Sequence, residues 1–125
     1  MASLAEVGRP AALVRPIVHA AVIELIATAF LLIGVVGSGI MAERLAGGNV
    51  GLALLANAIA TGGALVALIL AFGPQSGAHM NPVVTLAAAA TEGLRWHQAP
   101  AYIAAQITGG IVGVWLAHVM FGLPV

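Results

Sequence analysis

Apolar residues run almost unbroken through three stretches of the chain, 17–41, 50–72 and 98–121, with polar residues, glycine and proline clustered between them. At a rise of about 1.5 Å per residue, a helix over each run is long enough to cross the roughly 30 Å hydrocarbon core of a bilayer with some tilt. The pattern predicts three transmembrane helices. Between the second and third runs the spacing changes, at Ser76-Gly77-Ala78-His79-Met80-Asn81-Pro82-Val83-Val84-Thr85. Asn is a favoured helix N-cap, and Pro at the first helical position has a preset φ and lacks an N–H that would be unpaired there anyway. A helix is therefore predicted over 82–91, ending at Glu92-Gly93. It is too short to span a membrane, which takes about 20 residues.

A short helix between two spans requires the chain to leave and re-enter on one side. Residues 73–91 read as a re-entrant segment, an extended loop going in and a half-helix coming out. Irregular backbone is tolerated at membrane depth only where it is buried in protein or lines a watery cavity, and a pore is the natural cavity.

Composition supports the membrane reading. Hydrophobic residues are 62% of the chain and charged residues 6%, with a mean hydropathy of +1.11, which leaves too little polar surface for a soluble domain of this size. The formal net charge of zero offers no basic patch, so nucleic acid is excluded as a partner. The absence of cysteine excludes disulfides, thiolate metal sites and thiol nucleophiles. No histidine pair has ligand spacing on one helix, no nucleophile–base constellation occurs, and no nucleotide-binding glycine loop is present, so neither an enzyme nor a cofactor or metal is expected. A cleaved signal peptide is an alternative for the first run. The run is too long for one and carries Glu24 well inside.

Four arginines set the orientation. With residues 1–16 in the cytoplasm, Arg9, Arg15 and Arg95 lie inside and Arg44 outside, in accord with the positive-inside rule. A multi-pass protein of the plasma (inner) membrane is expected, with the lipid bilayer as its surroundings.

Glu24 is the costliest residue, because a carboxylate deep in a spanning helix needs partners. Thr28, one turn on, shares its face, and the re-entrant loop offers backbone N–H groups. A proton relay would need several titratable groups in line, and Glu24 is the single acid within the three runs. Small neutral solutes crossing a narrow apolar tube need a sparse line of hydrogen-bonding groups. In an extended loop the carbonyls of Gly77, Ala78 and His79 are free to supply it, with the Asn81 amide beside the positive end of the half-helix. Gln106 shares a face with Gly110 and Gly113, a packing seam. His19, His97, His118 and Trp96 suit the membrane interface.

Taken in order, the stretch Glu24 to Phe30 with Gly37 and Gly39, the run 76–85, and Ala101 to Gln106 with Gly109, Gly110 and Gly113 resemble the first half of a major intrinsic protein, the aquaporin and aquaglyceroporin family. The resemblance covers about residues 17–122. It implies an all-α membrane protein with three transmembrane helices and one re-entrant half-helix, half of an aquaporin-like fold. It also implies a passive channel for water and small neutral solutes, lined by Thr61, Gly77, Ala78, His79, Asn81 and Val84. Asn81, Pro82 and Val83 would start the half-helix, and Glu24, Thr28 and Gln106 would hold the loop. Val83 departs from the family, which usually has Ala there. Thr61 takes the family's filter position on the second helix, where larger aromatic residues are usual, so a wide, partly polar constriction is expected that passes glycerol, urea or an uncharged metalloid hydroxide.

Folds of this kind combine two inverted repeats, and these 125 residues contain one Asn-Pro. Three arrangements are compatible with that: a first half that needs a complementary second half, an antiparallel homodimer, or a non-conducting structural or assembly module. The arginine bias disfavours the homodimer mildly.

Overall fold

The computed structural model describes residues 17–91 and 93–125. Arg9 and Arg15, on which part of the orientation rests, and Glu92 lie outside the described residues. Among the described residues four α-helices follow one another: α1 (Ile17–Leu45), α2 (Val50–Ser76), α3 (Pro82–Thr91) and α4 (Ala99–Met120), the last preceded by a 3₁₀ turn at Trp96–Gln98. Among the described residues there is no strand. Ile17–Leu45, Val50–Ser76 and Trp96–Met120 are each long and apolar enough to cross a membrane, while α3 is not. The fold is all-helical and consistent with half of an aquaporin.

Two helices outlast their apolar runs. α1 continues through Glu43 and Arg44 because its C-terminal end tolerates charge, and it stops before Gly47 and Gly48, both at positive φ. α2 then starts on a side-chain cap, the Leu52 N–H donating to Asn49 Oδ1 at 3.0 Å. It runs on through Pro74 to Ser76, so the stretch expected as loop from residue 73 is helical for four more residues. Gly77 (φ +97°) closes it, its N–H donating to the Gly73 carbonyl at 2.9 Å.

α1 is the central helix and packs against both α2 and α4. Its seam with α4 depends on glycine. A Cβ at Gly109 would run into the Leu25 carbonyl oxygen, and one at Gly113 into that of Ala29. The helix backbones therefore touch, as small residues permit when lipid supplies no hydrophobic drive for association. The buried line of α4 is Tyr102, Gln106, Gly109, Gly113 and Ala117. Gly110, expected on that seam, faces a cavity instead. Arg44 donates to the Phe121 carbonyl (3.0 Å) and sits 5.3 Å from its ring, pinning the ends of α1 and α4 together, so the two run parallel.

α2 has no buried residue and meets its neighbours along one stripe. Asn57 Nδ2 donates to the Val35 carbonyl (2.8 Å) and Ser38 Oγ (2.9 Å) of α1. Further along, Leu65, Leu68 and Phe72 cover a small core of Ala27, Ala78 and Met80. That core fixes the turn between α2 and α3 against α1.

Candidate functional site

Glu24 is fully buried, and its carboxylate receives four donors. Oε1 accepts from the Ser76 hydroxyl (2.6 Å) and the His79 N–H (2.9 Å). Oε2 accepts from the Met80 N–H (2.7 Å) and Gln106 Nε2 (2.8 Å). Four good donors satisfy the lone pairs of an ionised carboxylate, and charge-assisted bonds of this kind are the strong ones. A protonated acid would have one acceptor position fewer.

The loop's backbone follows from that demand. Gly77, Ala78 (φ +47°) and Met80 (φ +49°) are left-handed, so residues 77–80, which form neither helix nor strand, make a loop with an irregular backbone. Left-handed residues on both sides of His79 turn the N–H groups of His79 and Met80 toward one anion. Ala78 and Met80 are strained at positive φ, by about 1 kcal/mol or more each, and the carboxylate holds them there. Ala78 is buried and its N–H donates to Ser76 Oγ (3.1 Å). With the N–H groups of 78–80 thus engaged, the carbonyls of Gly77, Ala78 and His79 accept no hydrogen bond among the described residues.

A second tier holds the turn. Tyr102 donates from its hydroxyl to the Ser76 carbonyl (2.9 Å), and its ring lies 5.3 Å from that of His79. Gln106 Nε2 also donates to Thr85 Oγ1 (2.9 Å), and His79 Nδ1 lies 3.1 Å from the same hydroxyl. Ser76, Thr85 and Tyr102 were not singled out as supports in the sequence. For Tyr102 the signal was there, one helical turn before Gln106 on the same face.

Two expected supports differ in detail. Thr28 makes no hydrogen bond to Glu24, since its Oγ1 has no partner among the described residues. The His79 and Met80 N–H groups, the Ser76 hydroxyl and Gln106 Nε2 have taken every position on the carboxylate. Gln106 meets Glu24 and Thr85 rather than loop backbone.

The half-helix starts as predicted, at Pro82. Asn81 caps it, Oδ1 accepting from the Val83 N–H at 2.8 Å while the Asn81 carbonyl accepts from Thr85 N–H at 3.0 Å. Val83 and Val84 are exposed on its first turn, at 70% and 45%. Both are open to another element. Asn81 stands in the wall of a cavity of about 800 Å³ between α1 and α4, together with Thr28, Leu32, Pro82 and Gln106. Thr28 and Leu32 lie near the middle of the 29-residue α1, so α3 begins at mid-depth in the bundle and returns toward the start of α4. His118, expected as an interfacial ring, lines this cavity too and bonds from Nδ1 to the Pro124 carbonyl (3.0 Å).

Of the residues expected to line a pore, only Asn81 is in this wall; Gly77, Ala78, His79, Val84 and Thr61 are not among its lining. Thr61 is half-buried, one turn after Asn57 and one before Leu65, hence on the stripe of α2 that faces α1. Among the described residues there is no group of three or more His, Asp or Glu placed to hold a metal ion.

Comparison with known proteins places this geometry. The sequence profile described as "Major intrinsic protein" matches residues 13–123. The chain is 50% identical over 103 residues to aquaglyceroporin AqpS of Rhizobium meliloti (strain 1021), covering 82% of this chain and 44% of that protein. It is 37% identical over 100 residues to the probable aquaporin NIP7-1 of Arabidopsis thaliana, covering 80% and 35%. A third relative, aquaporin NIP1-1 of Oryza sativa subsp. japonica, is 45% identical over 65 residues, or 52% of this chain and 23% of the relative. No solved structure matches. The chain spans less than half the length of these relatives. A profile match over nearly every described residue, on three apolar helices and a half-helix that starts at mid-depth, makes this chain a member of the major intrinsic protein family.

Proposed function

We propose that this chain supplies one half of a passive transmembrane channel for water and small neutral solutes of the glycerol, urea or metalloid hydroxide type, completed by a second, inverted half. The N-terminus is cytoplasmic, in accord with the arginine distribution, and the proposal sets the chain in the plasma (inner) membrane. One observation carries the reading. The Glu24 carboxylate collects the loop's donors on one side, which leaves the carbonyls of Gly77–His79 unpaired and Asn81 at mid-depth beside an open cavity. Solute dehydrated in a narrow passage exchanges its water for such carbonyls and for the Asn81 amide. The fixed loop gives them at no reorganisation cost. Thr61 sets the width on the α2 side by its small size, a role that rests on the family position rather than on proximity to Asn81. The exposed Val83 meets the second half at the tip of α3.

Stopped-flow light scattering on proteoliposomes that carry the chain with a candidate second half tests this. Glycerol and urea should enter alongside water. Water flux with strict rejection of both solutes would refute the wide constriction, and no solute flux in any pairing would refute the channel. Labelling the C-terminus from each side of the membrane reads the arrangement: one-sided labelling fits a fixed half, and equal labelling from both sides makes it an antiparallel homodimer.

A further inference from the structure

Thr91 and Thr108 give their hydroxyl hydrogens to the carbonyl one helical turn back, those of Ala87 and Ala104, at 2.8 Å each. Thr85 makes no such bond among the described residues, although it is 0% exposed. Its Oγ1 accepts from Gln106 Nε2 at 2.9 Å, and the other polar atom beside it is His79 Nδ1 at 3.1 Å. A buried hydroxyl hydrogen without an acceptor is unfavourable, and the ring nitrogen is the acceptor in reach. Thr85 therefore donates to Nδ1, and the hydrogen of the neutral imidazole falls to Nε2. The opposite assignment is costly. If Nδ1 donated, the Thr85 hydrogen would be stranded unless Gln106 turned its amide over to receive it. The amide's N–H groups are spent on Glu24 Oε2 and Thr85 Oγ1, and reversal would set its oxygen against the carboxylate. Other groups around the ring do not compete. Tyr102, its ring tilted 5.3 Å away, spends its hydroxyl on the Ser76 carbonyl, and Glu24 meets the His79 backbone N–H rather than the ring. The far edge of the ring lies over exposed Gly77, where a Cβ would come 2.9 Å from Nε2. Nε2 makes no hydrogen bond among the described residues.

We propose that Thr85 is a positioning residue that holds His79 in its Nε2–H tautomer and so keeps the imidazole out of proton transfer at the loop. Imidazole relays a proton by taking one at one nitrogen and releasing one from the other. On the side of Gly77 the ring shows Nε2–H, which has no lone pair to take one. Its basic nitrogen is turned inward onto Thr85. Release from Nε2 would first require Nδ1 to take the Thr85 hydrogen, and Thr85 to recover one from Gln106, whose neutral amide donates hydrogen bonds and gives up no proton. Gln106 donates at both ends, to Glu24 and to Thr85, so the chain of bonds from the carboxylate to the ring changes direction there and carries nothing through. The inference deepens the channel reading by assigning proton rejection at this loop to named side chains. It rests on that reading only for the presence of water beside the ring.

The tautomer is read without flux. The full chain in nanodiscs, with isotope-labelled histidine and at alkaline pH so that every ring is neutral, gives nitrogen resonances by NMR that separate hydrogen-bearing from bare ring nitrogens. His79→Gln identifies the His79 signals. Hydrogen on Nε2 is expected in wild type. Thr85→Val should shift the tautomer ratio roughly 2- to 10-fold toward Nδ1–H, the worth of one neutral hydrogen bond, and Thr85→Ser should restore it. Hydrogen mainly on Nδ1 in wild type overturns the proposal whatever the variants do, and so does a Thr85→Val ratio equal to that of wild type or a Thr85→Ser ratio equal to that of Thr85→Val. Protected amide exchange at Met80 shows that the Glu24 clasp survives in each variant; where Thr85→Val loses it, the wild-type and Thr85→Ser spectra decide. A channel that fails in stopped flow leaves this measurement intact, and the wrong tautomer leaves the channel reading standing.

Discussion

Replacement of Glu24 by glutamine keeps the side chain's shape and removes half of its acceptor capacity. Each carboxylate oxygen now serves two donors, and in glutamine one of the two becomes NH₂. The least costly orientation puts that group on the Oε1 side, where the Ser76 hydroxyl can rotate to accept from it. The His79 N–H is then left without a partner, at about 1–3 kcal/mol, and the surviving bonds lose their charge assistance. Relief of a buried charge offsets part of this. A net loss of about 2 kcal/mol follows, or roughly a 30-fold rise in local opening. Glu24→Ala removes all four acceptor positions and frees the left-handed residues, so it should open the turn by about 4 kcal/mol or more. Amide hydrogen exchange at His79 and Met80 in nanodiscs reads both variants. Exchange at those two amides unchanged from wild type in Glu24→Gln and Glu24→Ala would refute the clasp. A carboxylate that relayed protons would instead show unchanged exchange with abolished proton flux in the glutamine variant.

Gly109→Ala and Gly113→Ala should each cost about 1–3 kcal/mol or more, because the new methyl meets a carbonyl oxygen of α1; Gly110→Ala, which has room, is the control in thermal unfolding followed by circular dichroism. Asn57→Ala removes two bonds to α1 and should cost about 1–2 kcal/mol in the same assay, with wild-type stability as the contrary result. Ala78→Val places a β-branched side chain at φ +47° in a buried position, and a loss of at least about 2 kcal/mol is expected. Val83→Ala, at an exposed site, should leave the chain's own stability within about 0.5 kcal/mol and change only the affinity for a second half, measured by co-purification.

The helices were legible because each rests on a local signal strong enough to survive packing. The long apolar runs set α1, α2 and α4, and Asn81-Pro82 set the start of α3 to the residue. Boundaries that rest on weaker punctuation moved. Pro74 is a poor helix residue, yet Gly77 three positions on is a better stop, since a left-handed glycine ties off the last turn with a hydrogen bond. Glu43 and Arg44 ended the apolar run but not the helix, because a charged last turn costs nothing where the helix leaves the membrane and Arg44 finds the end of α4.

The site was legible as a need and illegible as a set of partners. A lone carboxylate in a spanning helix must find donors, which sequence alone states. The donors come from 52 to 82 residues away, and no local rule chooses among them. Thr28 was the nearest candidate and lost, because two backbone N–H groups buried at membrane depth, the Ser76 hydroxyl and Gln106 fill the carboxylate, and the Thr28 hydroxyl meets no partner among the described residues. The same competition explains the shape of the loop. Local preference would give glycine at every left-handed position, but Ala78 and Met80 occupy two of them. Charge-assisted bonds to one anion outweigh about 1 kcal/mol or more of strain at each residue, and the balance is visible only once Glu24 is packed against the turn. The backbone that leaves three carbonyls and the Asn81 Nδ2 unengaged is thus made by a residue more than fifty positions upstream.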